Sequence, residues 1–84
     1  MATVEIYTTR WCSYCIRAKK FLERKGVEFT EYPLEGDPSK RQEMEQRSGK
    51  SSTPQIFIDD QSIGGFEDMV ELDIDDELDP MLGL

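Results

Sequence analysis

Apolar and polar positions alternate at the start of the chain. Val4, Ile6 and Thr8 are separated by Glu5 and Tyr7, the two-residue period of a short strand ending near Thr9. From Ser13 to about Lys25 the period lengthens. Cys15, Ala18, Phe21 and Leu22 recur at three and four positions with Arg17, Lys19, Lys20 and Glu23 on the other face, which predicts an amphipathic helix stopped by Gly26. Val27 to Tyr32 alternates again and predicts a strand ended by Pro33. Reached through a helix of this length, that strand is most simply the parallel neighbour of the first.

Asp37-Pro38 reads as a helix start, because the carboxylate can cap free amides and proline is tolerated where its missing N–H had no partner; Gly49 closes that helix. Gln55 to Ile58 is a second apolar strand, Asp59-Asp60-Gln61 a tight turn, and Ser62-Ile63 the antiparallel return. Gly64-Gly65 breaks the pattern. Met69, Val70, Leu72 and Ile74 then mark a third helix beginning at Phe66, and Pro80 separates it from a short tail, Met81 to Leu84. The predicted order is β-α-β-α-β-β-α: an α/β fold with a four-stranded mixed sheet flanked by helices, in one domain spanning residues 1–84. Ligands of open α/β sheets bind at the carboxyl ends of parallel strands, which here puts Trp11 and Cys12 in the binding position.

Composition narrows the chemistry. Eighty-four residues with 37% hydrophobic content suffice for one modest core, and no apolar run approaches the roughly 20 residues of a membrane span. Without signal-peptide features at its start, the chain reads as soluble and cytoplasmic, with no membrane partner. A net charge of −8 argues against nucleic acid. The absence of histidine removes His bases, His ligands and Cys-His pairs within the chain. The charge is unevenly placed: residues 1–25 hold six basic groups against Glu5 and Glu23, whereas Glu67 to Asp79 holds eight acids and no base. The acidic stretch reads as a solvated helix face or a steering surface, and the basic segment surrounds both cysteines.

Cys12-Ser13-Tyr14-Cys15 places two thiols one turn apart at a helix N-terminus. Unpaired amides and the positive dipole end stabilise a thiolate there, and Arg10 and Arg17 are expected to add positive potential, so Cys12 reads as a nucleophile of lowered pKa. Cys15 faces the core, keeps a higher pKa, and can attack a mixed disulfide formed on Cys12. The plainer readings are weaker. A static disulfide at this spacing closes too small a loop to stabilise much, structural zinc would lack two ligands, and inert buried thiols would not need this strand-helix context. Thr53-Pro54 before an apolar strand is a second signal, since a cis bond there would turn the Thr53 main chain toward Cys12 as a docking edge.

Together these residues resemble the glutaredoxins over essentially the whole chain. The matching motifs are Tyr7-Thr8, Cys12-Ser13-Tyr14-Cys15 at the family's C-P-Y-C position, Ser52-Thr53-Pro54-Gln55 at its T-V-P-Q position, and Gly64-Gly65-Phe66-Glu67-Asp68 at its G-G-x-D-D position. The chain is most similar to the small bacterial dithiol members. That resemblance implies a thioredoxin fold, a cis Pro54, and reduction of glutathione mixed disulfides and protein disulfides at the expense of glutathione. It also implies a glutathione groove. Thr53 would pair main chain to main chain with the cysteinyl unit beside Pro54. Gly65 and Phe66 would offer amides to the γ-glutamyl carboxylate, as helix N-termini favour anions. Asp68 would accept from the γ-glutamyl ammonium, Tyr14 would pack beside the sulfur, and Arg41 matches a position contacting the glycyl carboxylate.

The chain also departs from the family pattern. The usual lysine three residues before the first cysteine is Thr9, with Arg10 as its nearest substitute. Ser13 replaces the common proline and Phe66 a frequent cysteine. Trp11 is similar to plastid glutaredoxins that hold a [2Fe-2S] cluster between two chains, which would make Cys12 an iron ligand alongside glutathione thiols and the dimer a carrier or sensor. Otherwise a monomer is expected, serving glutathionylated or disulfide-containing proteins, among which the family suggests ribonucleotide reductase. A further alternative is electron supply by thioredoxin reductase in place of glutathione.

Overall fold

The computed structural model describes residues 2–84. Strands β1 (Val4–Thr8), β2 (Thr30–Pro33), β3 (Gln55–Ile58) and β4 (Gln61–Gly64) form one sheet in the order β2-β1-β3-β4. β1 pairs parallel with β2 and antiparallel with β3, which pairs antiparallel with β4. The helices are α1 (Ser13–Arg24), α2 (Pro38–Ser48), α3 (Phe66–Ile74) and α4 (Leu78–Leu82). None is long and apolar enough to cross a membrane.

Both faces of the sheet are covered, and β1 shows why the alternation holds. Val4 and Ile6 join Ala18, Leu22, Ile56, Ile58, Met69, Leu78 and Leu82 in the larger cluster, under α1, α3 and α4. The intervening Tyr7 is fully buried in a smaller cluster with Leu34, Met44 and Phe57, under α2. Four apolar residues make a thin core, and polar contacts supplement it. Arg47 donates to Glu5 at 3.0 Å and to the Tyr7 hydroxyl at 2.8 Å, and its guanidinium lies 4.0 Å from the Phe57 ring centroid. The Tyr7 hydroxyl donates to Glu43, and Tyr32 donates to Glu5 at 2.8 Å. Burial and the Glu43 bond push the Tyr7 hydroxyl up to about 12.

Local signals set most boundaries. Asp37 caps α2 by accepting from the Lys40 N–H at 3.1 Å, and Gly49 ends it in the left-handed region at φ 72°. Asp59 and Asp60 both have positive φ, as a two-residue hairpin requires. Three expectations are corrected. β2 begins at Thr30 instead of Val27, because its partner β1 starts pairing only at Glu5; Val27 and Phe29 instead pack against the larger core. The tail beyond Pro80 is not loose: Leu78 to Leu82 is a helix that buries Leu78 and Leu82, and proline fits its first turn, so the order gains a final α. Ile74 does not face the core but is 74% exposed at the end of α3.

This topology gathers one end of the sheet. Antiparallel pairing sets Tyr7 opposite Gln55 and Ile56 opposite Gly64. The carboxyl end of β1, the segment entering β3 and the segment leaving β4 therefore lie together, and these carry the Cys12, Thr53-Pro54 and Gly64-Gly65 motifs.

Candidate active site

Cys12 is the N-cap of α1. Its extended backbone (φ −97°, ψ 109°) turns the side chain back over the first turn, where Sγ accepts from the Cys15 N–H at 3.2 Å. The Thr53–Pro54 peptide is cis, and the Thr53 carbonyl oxygen lies 3.5 Å from Cys12 Sγ. The Thr53 hydroxyl lies 3.1 Å from that of Thr9, tying the segment before β3 to the end of β1. Cys12 is partly exposed; Cys15 is buried beside Ala18. Both thiols are free.

The two acidities diverge. Burial pushes the Cys12 thiol up, but hydrogen bonds from the Cys15 side chain and backbone, from the Thr53 side chain and from the Tyr14 backbone outweigh it, so Cys12 is lowered from its ordinary value. Burial, together with the hydrogen bond given to Cys12, pushes Cys15 up to about 11. The expected help from Arg10 and Arg17 is not among these causes: both are solvent-exposed, and the Arg17 guanidinium sits 5.5 Å from the Tyr14 ring centroid instead. The hydrogen bonds from Cys15, Thr53 and Tyr14, not the arginines, lower Cys12.

Beside Cys12 runs a groove of about 170 Å³ lined by Tyr14, Thr53, Pro54, Gly65, Phe66 and Asp68 among others. Six sequence-predicted residues are thus brought together. Arg10 and Arg41 are not: Arg10 borders a separate depression with Ile16, Lys19 and Glu31, and Arg41 donates to the Ser51 carbonyl at 3.3 Å from outside the groove. Lys50, Ser52, Gln55 and Glu67 complete the lining; the last three lie in the matched motifs, but none of the four was expected as a glutathione contact. Lys50 had a usable signal, being the one cation in the polar run leading into Thr53-Pro54.

Asp68 has a local role as well. Its Oδ2 accepts from the Gly65 N–H at 2.8 Å, the return half of a capping box at the start of α3. The Gly65 amide, expected to face a ligand carboxylate, is therefore engaged by Asp68 in this structure. Gly64 makes the approach possible. Its φ is +104°, and a Cβ there would stand 2.4 Å from Asp68 Oδ2. No three His, Cys, Asp or Glu side chains gather as a metal site among the described residues, so a cluster on this chain would find Cys12 as its one accessible cysteine thiolate.

A mixed sheet carrying two thiols of opposed acidity at a helix N-terminus, with a cis-proline segment facing them, defines a thioredoxin-fold dithiol domain. The family model described as Glutaredoxin matches residues 4–63. Over 82 residues the chain is 55% identical to Glutaredoxin 3 of Escherichia coli (strain K12), covering 98% of this chain and 99% of that one. A glutaredoxin from Brucella melitensis superimposes with TM-score 0.82 at 45% identity, covering 95% of this chain and 87% of that one. A buckwheat glutaredoxin solved as a glutathione complex gives TM-score 0.89 at 26% identity, over 98% of this chain and 77% of that one. The chain belongs to the glutaredoxin family, whose general activity is thiol-disulfide oxidoreduction.

Proposed function

We propose that this single-domain chain is a glutathione-dependent thiol-disulfide oxidoreductase that reduces glutathione mixed disulfides and protein disulfides. The observation that carries this reading is the groove beside Cys12, which joins the Thr53 main chain to the start of α3 and Asp68. Likeness to the buckwheat protein, solved with glutathione, supports it.

On a glutathionylated protein, the Cys12 thiolate attacks the glutathione sulfur. The old disulfide breaks and the protein thiolate leaves, taking a proton from solvent. The Thr53 main chain would pair with the cysteinyl unit beside Pro54, while Asp68 holds the γ-glutamyl ammonium and the Phe66 amide meets its carboxylate. Tyr14 would pack beside the sulfur. A second glutathione thiolate then attacks the Cys12-bound sulfur, releasing glutathione disulfide and restoring Cys12. On a protein disulfide, Cys12 forms a mixed disulfide with one substrate sulfur. Cys15 loses its proton and attacks Cys12 Sγ, which frees the reduced substrate and leaves a Cys12–Cys15 disulfide for two glutathiones to reduce. Consuming the Cys12 thiolate removes one of the contributions that hold Cys15 up.

The test is turnover of the mixed disulfide of glutathione and 2-mercaptoethanol, with either glutathione and its reductase or thioredoxin reductase as electron source. Turnover with glutathione alone is expected. Turnover with thioredoxin reductase alone would overturn the reading.

A further inference from the structure

Three of the five exposed large apolar side chains among the described residues fall between positions 11 and 16: Trp11 at 91%, Tyr14 at 45% and Ile16 at 47% exposure. Tyr14 belongs to the groove; Trp11 and Ile16 do not border it. Trp11 is bonded to the nucleophile's own residue, so a polypeptide joined to Cys12 by a disulfide must lie within its reach.

The cations fall into two sets. Lys19, Lys25, Lys40 and Arg47 are each in an ion pair. Arg10, Arg17, Lys20 and Arg24 are exposed and, among the described residues, in none; Arg41 and Lys50 are also exposed and unpaired, but belong to α2 and to the groove lining. Ile16, Arg17, Lys20 and Arg24 follow one another at helical spacing on the solvent side of α1, opposite its buried residues Cys15, Ala18 and Leu22. Of the two acids in residues 1–25, Glu5 is held by Arg47, leaving Glu23; of the acids that border the depression with Arg10 and Ile16, Glu31 is held by Lys19, leaving Glu35. An apolar rim backed by unpaired cations complements a partner that is apolar and acidic, and such a field raises encounter rates as well as selectivity.

We infer that Trp11 and Ile16, with Arg17 and Lys20, form a docking surface for the polypeptide around a protein disulfide, and that it selects disulfides flanked by acidic and apolar residues. This rests on the oxidoreductase reading above and adds a substrate class to it. Glutathione takes the Thr53–Asp68 side of Cys12, and the protein substrate takes the Trp11 side.

The experiment uses the full chain with glutathione as reductant and two disulfide peptides alike except for Glu-Leu or Lys-Leu flanks. The mixed disulfide of glutathione and 2-mercaptoethanol is the small control. At low salt the acidic peptide is expected to exceed the basic one in kcat/KM by about tenfold or more, with the ratio shrinking as salt screens it. Arg17→Glu with Lys20→Glu is expected to abolish or invert the ratio. Trp11→Ala is expected to lower kcat/KM for both peptides by a larger factor than for the small control. Equal use of the two peptides by the native chain, or an equal effect of Trp11→Ala on peptide and control, overturns the docking surface while control turnover leaves the oxidoreductase reading standing. Absence of control turnover overturns both.

Discussion

Cys12 and Cys15 stand one helical turn apart, yet one thiol is lowered by the hydrogen bonds it receives and the other raised by burial. The rate of Cys12 alkylation by iodoacetamide should therefore rise with pH and level off below the ordinary thiol value of 9.0, since the thiolate reacts and its fraction saturates above the lowered pKa. A plateau only above 9.0 would mean that these hydrogen bonds do not act on Cys12. Cys15→Ser should keep turnover of glutathione mixed disulfides, because external glutathione resolves them, and lose most reduction of protein disulfides; steady-state assays on the two substrates separate the effects. The opposed acidities of the two cysteines were legible because they depend on the turn that holds them. The arginines were not. A sequence places Arg10 and Arg17 near Cys12 in number, but the direction of a long exposed side chain is set in three dimensions, and Arg17 turns to the Tyr14 ring.

Between β4 and α3, the Asp68 carboxylate accepts from the Gly65 amide. Asp68→Asn keeps an oxygen that can accept from that amide, so stability should change little. Loss of the charge should raise the KM for glutathione by about tenfold, whereas Asp75→Asn should leave it unchanged. Gly64→Ala reaches the same carboxylate from the strand side. Its Cβ would collide with Oδ2 at a positive φ, so KM should rise and thermal denaturation should show a loss of about 1 kcal/mol or more. Elements whose ends carry their own chemistry were readable in advance, as with Asp37, Pro38 and Gly49 around α2. The start of β2 was not, because a strand begins where its partner does, and α4 was hidden because Pro80 signals a break and a first turn alike.

Across the whole molecule the two sides of the sheet are built differently. The α1, α3 and α4 side rests on nine buried apolar residues, the α2 side on four and the Arg47 network. The bond from Arg47 holds Glu5 below the usual carboxylate range against the cost of its burial, and bonds from Tyr7 and Lys40 lower Glu43. A lowered carboxyl binds its proton later in the native state than in the unfolded chain. Its stabilisation is therefore present above about 4.5 and is lost as pH falls through the lowered value. Arg47→Met should cost about 1–3 kcal/mol at neutral pH and flatten the acid limb of the melting curve, and thermal denaturation from pH 7 to pH 3 checks both. The Arg47 contact to Asp60, whose side chain is 92% exposed, should contribute almost nothing. Alternation in β1 announced a strand, but it gave no sign that Glu5 and Tyr7 face a second covered layer instead of water.

The burial of Cys15 acts as a clock. On the mechanism proposed above, the raised Cys15 thiol keeps its proton while Cys12 captures a substrate, so every captured chain would have an interval before the inner thiol can release it. During that interval glutathione from outside would compete for the same bond. The proportion of events that end by the inner route is thus set by the depth of one side chain against the concentration of a small thiol, and lower glutathione or higher pH shifts the outcome toward Cys15.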